Sequence, residues 1–286
     1  MNSKIKKFIL VIVVIIIFFF MFAPGSSNHR IDIVGSTSVQ PLAEKLANTY
    51  MKNNSNVLIN VQGGGSGMGI RSIQQKITNM GMVSAELSQE DKKGITVIKL
   101  GDEGIVVCVN NENNISNLTT QQIRDIFSGK IDNWKDVGGA NSKIHVITRE
   151  DGSGTRTGFE TILMKGYKIK KDAIVQSSTN EIEQSVVNDN NAIGYVSYTT
   201  ISNNVKDVLI DGVKVSDDTI VDGSYKLIRP YLFLIHDHDD LYVNDFLNWV
   251  FSPEGLEIIK HEKIIPPNGK ELEDTKRQLN NITTNL

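Results

Sequence analysis

Ile147-Thr148-Arg149-Glu150-Asp151-Gly152-Ser153-Gly154-Thr155-Arg156 is the stretch on which the reading of this chain turns. The apolar run Ile144–Ile147 enters it as a strand. The run Phe159-Glu160-Thr161-Ile162-Leu163-Met164-Lys165 leaves it as a helix, with Gly166 placed to end that helix. The stretch is a strand–turn–helix corner. Free backbone N–H groups and the positive end of the helix dipole collect at such a corner and suit a tetrahedral oxyanion. Ser153 and Thr155 add hydroxyl donors, and Gly152 and Gly154 allow close backbone approach. Arg149 brings a fixed fork of N–H donors, and Asp151 is expected to hold that fork by its other edge.

A lone Gly-Ser-Gly-Thr is more often a capped helix after a glycine turn. Two further turns of the same kind, together with Arg149, favour the anion site. The strand-like Ile31–Val34 runs into Gly35-Ser36-Thr37-Ser38-Val39-Gln40-Pro41, and Leu42, Leu46 and Tyr50 then recur on one helix face. A second strand, Val57–Val61, ends in Gln62-Gly63-Gly64-Gly65-Ser66-Gly67-Met68-Gly69, and Ile70, Ile73 and Ile77 mark the helix expected to follow. No Gly-Lys-Ser/Thr follows either turn, which excludes a nucleotide P-loop. Met68 stands where a hydrolase elbow built on Ser66 needs glycine. The repeated order of strand, turn and helix argues for an α/β fold with parallel strands, whose ligands bind at the carboxyl ends of the strands.

The rest of the chain fits that class. Met80–Leu87 contains a third short element, and Ile95–Leu100 and Ile105–Asn110 read as two strands. Thr119–Phe127 reads as a capped amphipathic helix. Ala192–Ser197 and Ile228–Ile235 read as strands, Val243–Phe251 and Pro253–His261 as amphipathic helices. The polar tail after Gly269 is expected to fray. The first 28 residues are a signal or anchor segment: Lys4, Lys6 and Lys7 precede an apolar run of 16 residues, Phe8–Ala23. That run is long for a signal core and short for a spanning helix, so cleaved signal and retained anchor stand as alternatives. The lysines remain in the cytoplasm and the remainder is exported. After residue 23 the chain carries 27 basic against 33 acidic side chains, a net charge of −6, which argues against a generic nucleic-acid binder. An anion site in such a domain is local, made of dipoles and one or two fixed cations. The only cysteine, Cys108, lies in an apolar run and reads as a core thiol. Trp134 and Trp249 read as core residues. His236-Asp237-His238-Asp239-Asp240 has metal-ligand residue types but lies between a strand and a helix, which favours a solvated loop.

Arg149-Glu150-Asp151-Gly152-Ser153-Gly154-Thr155-Arg156 resembles the signature of the phosphate-binding proteins of the high-affinity phosphate ABC transporter, the PstS family. The resemblance runs from about Ile31 to about Pro267. It implies a type II periplasmic-binding-protein fold, two α/β lobes around a cleft, joined by crossing strands near Val106–Asn110 and Ile228–Ile235. Lobe one would be residues 29–108 plus 230–286, and lobe two residues 109–229. Phosphate would be held in the cleft by Thr37, Ser38, Ser66, Ser84, Arg149, Ser153, Gly154 and Thr155, with Ser36 and Asp151 in support. The best-known members carry an aspartate that accepts the proton of hydrogen phosphate and so rejects sulfate. Ser84 matches that position here, with Glu86 as a possible substitute acceptor. The expected function is that of a monomeric extracytoplasmic receptor, cofactor-free and metal-free, delivering inorganic phosphate to an ABC permease. A receptor for sulfate or molybdate is the first alternative and a phosphatase the second. Against an enzyme, no histidine lies in any glycine turn.

Overall fold

The computed structural model describes residues 29–236 and 240–284, with side chains to residue 281. The N-terminal signal or anchor segment and Asp237–Asp239 lie outside the described residues.

Two layers of helix enclose one curled mixed sheet. Its strands are β1 (His29–Gly35), β2 (Val57–Gly63), β3 (Met80–Val83), β4 (Ile95–Asn110), β6 (His145–Arg149), β7 (Ile174–Gln176), β8 (Ala192–Ser197), β9 (Val205–Asp207) and β11 (Ile228–His236). The order is β2-β1-β3-β11-β4-β8-β6-β7, with β9 also on β4. A small parallel pair, β5 (Asn117–Leu118) and β10 (Leu209–Ile210), stands apart. β1 pairs parallel with β2 and β3, and β6 pairs parallel with β7 and β8. Each parallel set is the expected strand–turn–helix repeat. The helix α1 (Gln40–Asn53) follows β1, and Leu42, Ala43, Leu46, Ala47 and Tyr50 form its buried stripe. α2 (Ser66–Gln74) follows β2 and is shorter than its apolar spacing suggests: Ile73 is buried, but Ile77 lies beyond the helix and is 71 % exposed. α3 (Thr120–Ser128) carries the expected capping box, Thr119 with Gln122. α4 (Gly154–Gly158) follows β6 and widens into a π turn, Phe159–Met164, before Gly166. α5 (Thr179–Val187) and α6 (Asp217–Val221) complete this half.

The strands expected at Ile95–Leu100 and Ile105–Asn110 are one strand. β4 runs unbroken for 16 residues, about 50 Å at the usual rise per residue. Gly101 inside it serves a close approach. A Cβ there would lie 2.3 Å from the backbone oxygen of Ile265, and Asp102 bridges Ile265 in ladder fashion. From Ile95 to Gly104 β4 pairs with β11, and from Ile105 to Val109 with β8.

That change of partner divides the interior. One core gathers Ile31, Ile33, Leu42, Leu46, Ile98, Leu100, Tyr231, Phe233 and Phe246, with Leu279 from the far end of the chain. A second is built from residues 105–227, including Ile105, Phe127, Trp134, Phe159 and Tyr195, and a smaller cluster joins Ile73, Val83, Leu232 and Leu234. The chain passes between the first two at Gly101–Gly104 and again after Leu227. Ile105–Cys108, expected in the first lobe, therefore pack in the second core. Trp134 is buried there, and Trp249 packs on Tyr50 and Phe246. α7 (Leu241–Val250) and α8 (Pro253–His261) cover the first core. The tail expected to fray forms a 16-residue helix, α9 (Gly269–Thr284). It packs on α7 through Leu272 and the buried Leu279, and Glu271 reaches Lys99 at 2.9 Å. Its apolar residues are too few to stand out in a polar stretch, yet they fall on one face. Among the described residues no helix is long and apolar enough to cross a membrane.

Candidate functional site

Four helix N-termini meet where the two cores face each other. α1 and α2 come from the first half, α4 and α5 from the second. Each delivers free N–H groups and the positive end of its dipole to the same place. The turns before them touch across the boundary. Ser38 Oγ lies 2.9 Å from Thr155 Oγ1 and 3.2 Å from Thr179 Oγ1. The Gly67 N–H donates to the Gly152 carbonyl at 2.9 Å. Gly154 lies directly against Ser66 and Ser84: a Cβ on it would meet Ser66 Oγ at 2.2 Å and Ser84 Oγ at 2.6 Å. Only glycine fits at that position without displacing both serines.

The capping alternative can be judged turn by turn. α1 has Val39 as its N-cap with no side-chain cap bond, and α2 has Gly65, also without one. Ser36, Thr37, Ser38 and Ser66 therefore cap neither helix, although Ser36 Oγ accepts from the Ser38 N–H at 3.3 Å. Ser153 does cap α4, accepting from the Arg156 N–H at 3.3 Å, and its own proton remains to donate. Ser36, Ser38, Ser66, Ser84, Ser153 and Thr155 are all buried. Thr37 Oγ1 is buried with no hydrogen-bond partner, a costly arrangement for a hydroxyl in a finished core.

Arg149 closes β6 and is 1 % exposed. Asp151 does not orient it. Glu150 does, accepting from Nε at 2.8 Å and from Nη2 at 2.9 Å. The Asp151 side chain is 94 % exposed and pairs with Arg156 at 2.8 Å. The reason is chain direction: after Arg149 the turn carries Asp151 outward, while Glu150 folds back along the guanidinium. Arg149 Nη2 also donates to the Ser177 carbonyl, and Nη1 to Thr179 Oγ1 at 3.2 Å. Beneath this loop the Tyr195 hydroxyl accepts from the Arg149 N–H and bonds Thr148 at 2.7 Å. Burial pushes the Tyr195 phenol up to about 12, so it stays protonated. The arginine is thus gripped along one edge and presents its remaining nitrogen toward the threonines and Ser38.

Ser84 lies in the first half of the site, 2.8 Å from Ser36 Oγ, and its N–H donates to Ser66 Oγ at 3.1 Å. Glu86 is exposed and lines a shallow crevice with Thr157, Gly158 and Pro230, apart from Ser36 and Ser66. It is not the substitute acceptor.

Sequence reasoning missed four residues. Thr179 opens α5 after Ser177-Ser178, a hydroxyl turn without the glycines that marked the others. Glu150 was in the quoted stretch but was passed over for Asp151. Arg229 and Glu103 form an ion pair at the crossing, with exposures of 2 % and 0 %. Arg229 Nη1 donates to both the backbone oxygen and Oγ of Ser84 at 3.1 Å. Burial pushes the Glu103 carboxyl up, and the Arg229 charge pulls against it. A charge at each crossing, inside apolar runs, was the available signal. Among the described residues no three-membered group of metal-ligating side chains occurs.

This geometry has known counterparts. The profile described as PBP superfamily domain matches residues 23–254. A phosphate-binding protein PstS from Staphylococcus epidermidis is 31 % identical over 77 % of this chain and 74 % of its own length. A solved structure from Clostridium perfringens, described as a phosphate ABC transporter substrate-binding protein with bound phosphate, superposes with a TM-score of 0.81. It is 32 % identical and covers 84 % of this chain and 100 % of its own. An ABC-type phosphate transport receptor from Vibrio cholerae, 31 % identical, covers 83 % of this chain and 100 % of its own with a TM-score of 0.70.

Proposed function

The chain belongs to the PstS phosphate-binding proteins of the PBP superfamily, and from that membership we propose that it is an extracytoplasmic receptor for inorganic phosphate. The observation that carries this reading is the meeting of hydroxyls from both halves beside one anchored arginine: Ser38 with Thr155 and Thr179, and Thr179 with Arg149. Thr37, Ser38, Ser66, Ser84, Ser153, Gly154 and Thr155 supply hydrogen bonds to phosphate, Arg149 supplies charge, and Thr179 joins them. Ser36 supports Ser84, and Glu150 takes the orienting role. The lobes are residues 29–104 with 228–284, and residues 105–227, following the two cores.

Phosphate touches both lobes only when they are closed, so binding shifts the population toward closure. The closed form is what an ABC permease would then recognise, with the receptor acting as a monomer held outside the membrane or released there. The site has a poised hydrogen-bond shell, and among the described residues no histidine hydrogen-bonds its serines to activate one of them, so capture without turnover is the expected behaviour.

Calorimetric titration of the full chain with phosphate tests the proposal. Saturable binding with one phosphate per chain, weakened by about 2–5 kcal/mol in Arg149→Ala, is the expected result. Absence of phosphate binding to a folded chain would reject it.

A further inference from the structure

The second lobe has a cavity of its own, of about 290 Å³, the size of a site for a small organic molecule. Every residue that lines it lies between Thr120 and Leu227, and none of them belongs to the phosphate cleft. Ile162, Leu163, Ile210, Val213, Tyr225 and Leu227 make its interior apolar, and Arg124, Lys165 and Lys226 supply three cations. The one carboxylate in the lining, Asp211, is spent on the start of α3: it accepts from the Thr120 N–H at 2.9 Å and from the Thr120 hydroxyl. Arg124 Nε donates to the Leu163 carbonyl at 2.6 Å, which ties α3 to the π turn. The two terminal nitrogens of Arg124 donate to no protein atom among the described residues. Lys165 is exposed and forms no ion pair there. Lys226, also exposed, donates to the Gly223 carbonyl and feels the charge of Asp222.

The backbone of the lining is unusual as well. Ile162 and Leu163 belong to the π turn Phe159–Met164, a form of helix that recurs at functional sites. Lys165 ends that turn at φ 47°, and Asp211 has φ 52°. Two of the four non-glycine residues with positive φ among the described residues thus border this one cavity. Such conformations cost free energy and collect where ligands are held.

We infer that this cavity is a second ligand site, for a small amphipathic anion: an apolar body, such as a short acyl chain, carrying one carboxylate or phosphate head. The body displaces water from Ile210, Val213 and Leu227. The head meets the terminal nitrogens of Arg124, whose fork suits an anion with two oxygens in one plane, and Lys165 and Lys226 add charge at longer range. The site stands independently of the phosphate cleft.

The test is a titration of the isotope-labelled full chain, followed by its amide resonances, with hexanoate, hexyl phosphate, hexanol and acetate. Saturating inorganic phosphate is kept present so that the cleft is filled. Hexanoate or hexyl phosphate should shift the amides of Ile210, Val213 and Leu227 saturably, and the tighter of the two identifies the head. Acetate lacks the body and hexanol the charge, so each should bind at least about tenfold more weakly. Arg124→Met should weaken the anions by about tenfold. Because that change also removes the tie to Leu163, the exposed pair Lys165→Met with Lys226→Met is the second probe, and it should weaken them by about threefold while leaving hexanol unmoved. Val213→Phe fills the cavity and should remove binding altogether. Arg149→Ala should leave hexanoate binding unchanged, so failure of the phosphate reading would not be mistaken for failure of this one. Equal binding of hexanol and the two anions would overturn the inference, as would equal binding of acetate and hexanoate. Absence of saturable shifts around the cavity with all four compounds would overturn it as well, and would leave the phosphate receptor intact.

Discussion

Two arginines are buried at the cleft, and they are held in opposite ways. Arg149 ends a strand in the second lobe, and its partner Glu150 is the next residue, with a partly exposed side chain. Arg229 lies on a crossing strand, and its partner Glu103 comes from 126 residues away with no exposed surface. Both aim a nitrogen at a hydroxyl of the site, Thr179 for one and Ser84 for the other. The first pair is local and wettable, so Arg149 is positioned for a ligand without much of the fold depending on it. The second pair was taken out of water to form at all. Losing one member strands the other, because the desolvation cost stays after the attraction is gone. One arginine therefore belongs chiefly to binding and the other chiefly to the joint between the lobes.

Arg229→Ala is the most severe way to probe that difference. It should lower unfolding stability by about 3–5 kcal/mol in denaturant titration, the usual result of orphaning a buried charge. A loss below about 1 kcal/mol would erase the contrast between the two pairs. Arg149→Ala should weaken phosphate binding by about 2–5 kcal/mol in calorimetry, as for other truncated buried charge contacts, with a smaller effect on unfolding. If unfolding suffers more than binding, the assignment of roles is reversed. Ser153→Ala should cost about 1 kcal/mol of stability through the lost helix cap. Ser66→Ala, whose hydroxyl caps no helix but accepts the buried Ser84 N–H, should act on binding and also cost about 1–3 kcal/mol of stability. Finally, Asp151→Ala should leave phosphate affinity unchanged within measurement error, since that side chain faces solvent and Arg156. A clear loss would return to Asp151 the orienting role that the geometry gives to Glu150.

The same contrast explains what could be read from the residues alone. The three glycine–hydroxyl turns were legible because each is local, a strand, a turn and a helix within about twenty residues. Ser38, Ser66, Ser84 and Arg149 emerged together because a family signature spans those turns. What stayed hidden depends on distant partners. No periodicity announces that Glu103 meets Arg229, or that Gly101 lies inside one long strand against the backbone of Ile265. α9 looked like a tail since a helix with few apolar residues is defined by the surface it lands on. Thr179 lacked the glycines that flag a turn. Asp151 was expected to orient Arg149 because the family signature places its orienting residue there, whereas the direction in which the loop leaves the strand gives that contact to Glu150.

The split of the interior also has a consequence for assembly. The second core is drawn from one continuous stretch, residues 105–227. The first joins Ile31 and Leu42 to Phe246 and Leu279, so it stays incomplete until both flanks of the insert are present. Closing so large a loop adds little to the equilibrium cost, which grows only logarithmically with length, but non-local contacts of this kind slow folding. A chain that emerges from its amino end would mature from the inside out, its inserted segment acquiring protected amides first and its outer segments waiting for each other. Pulse-labelled hydrogen exchange during refolding would show this as early protection in β8 and α5 and late protection in β1 and α7. Simultaneous protection would mean that the two crossing strands fold both lobes as one unit.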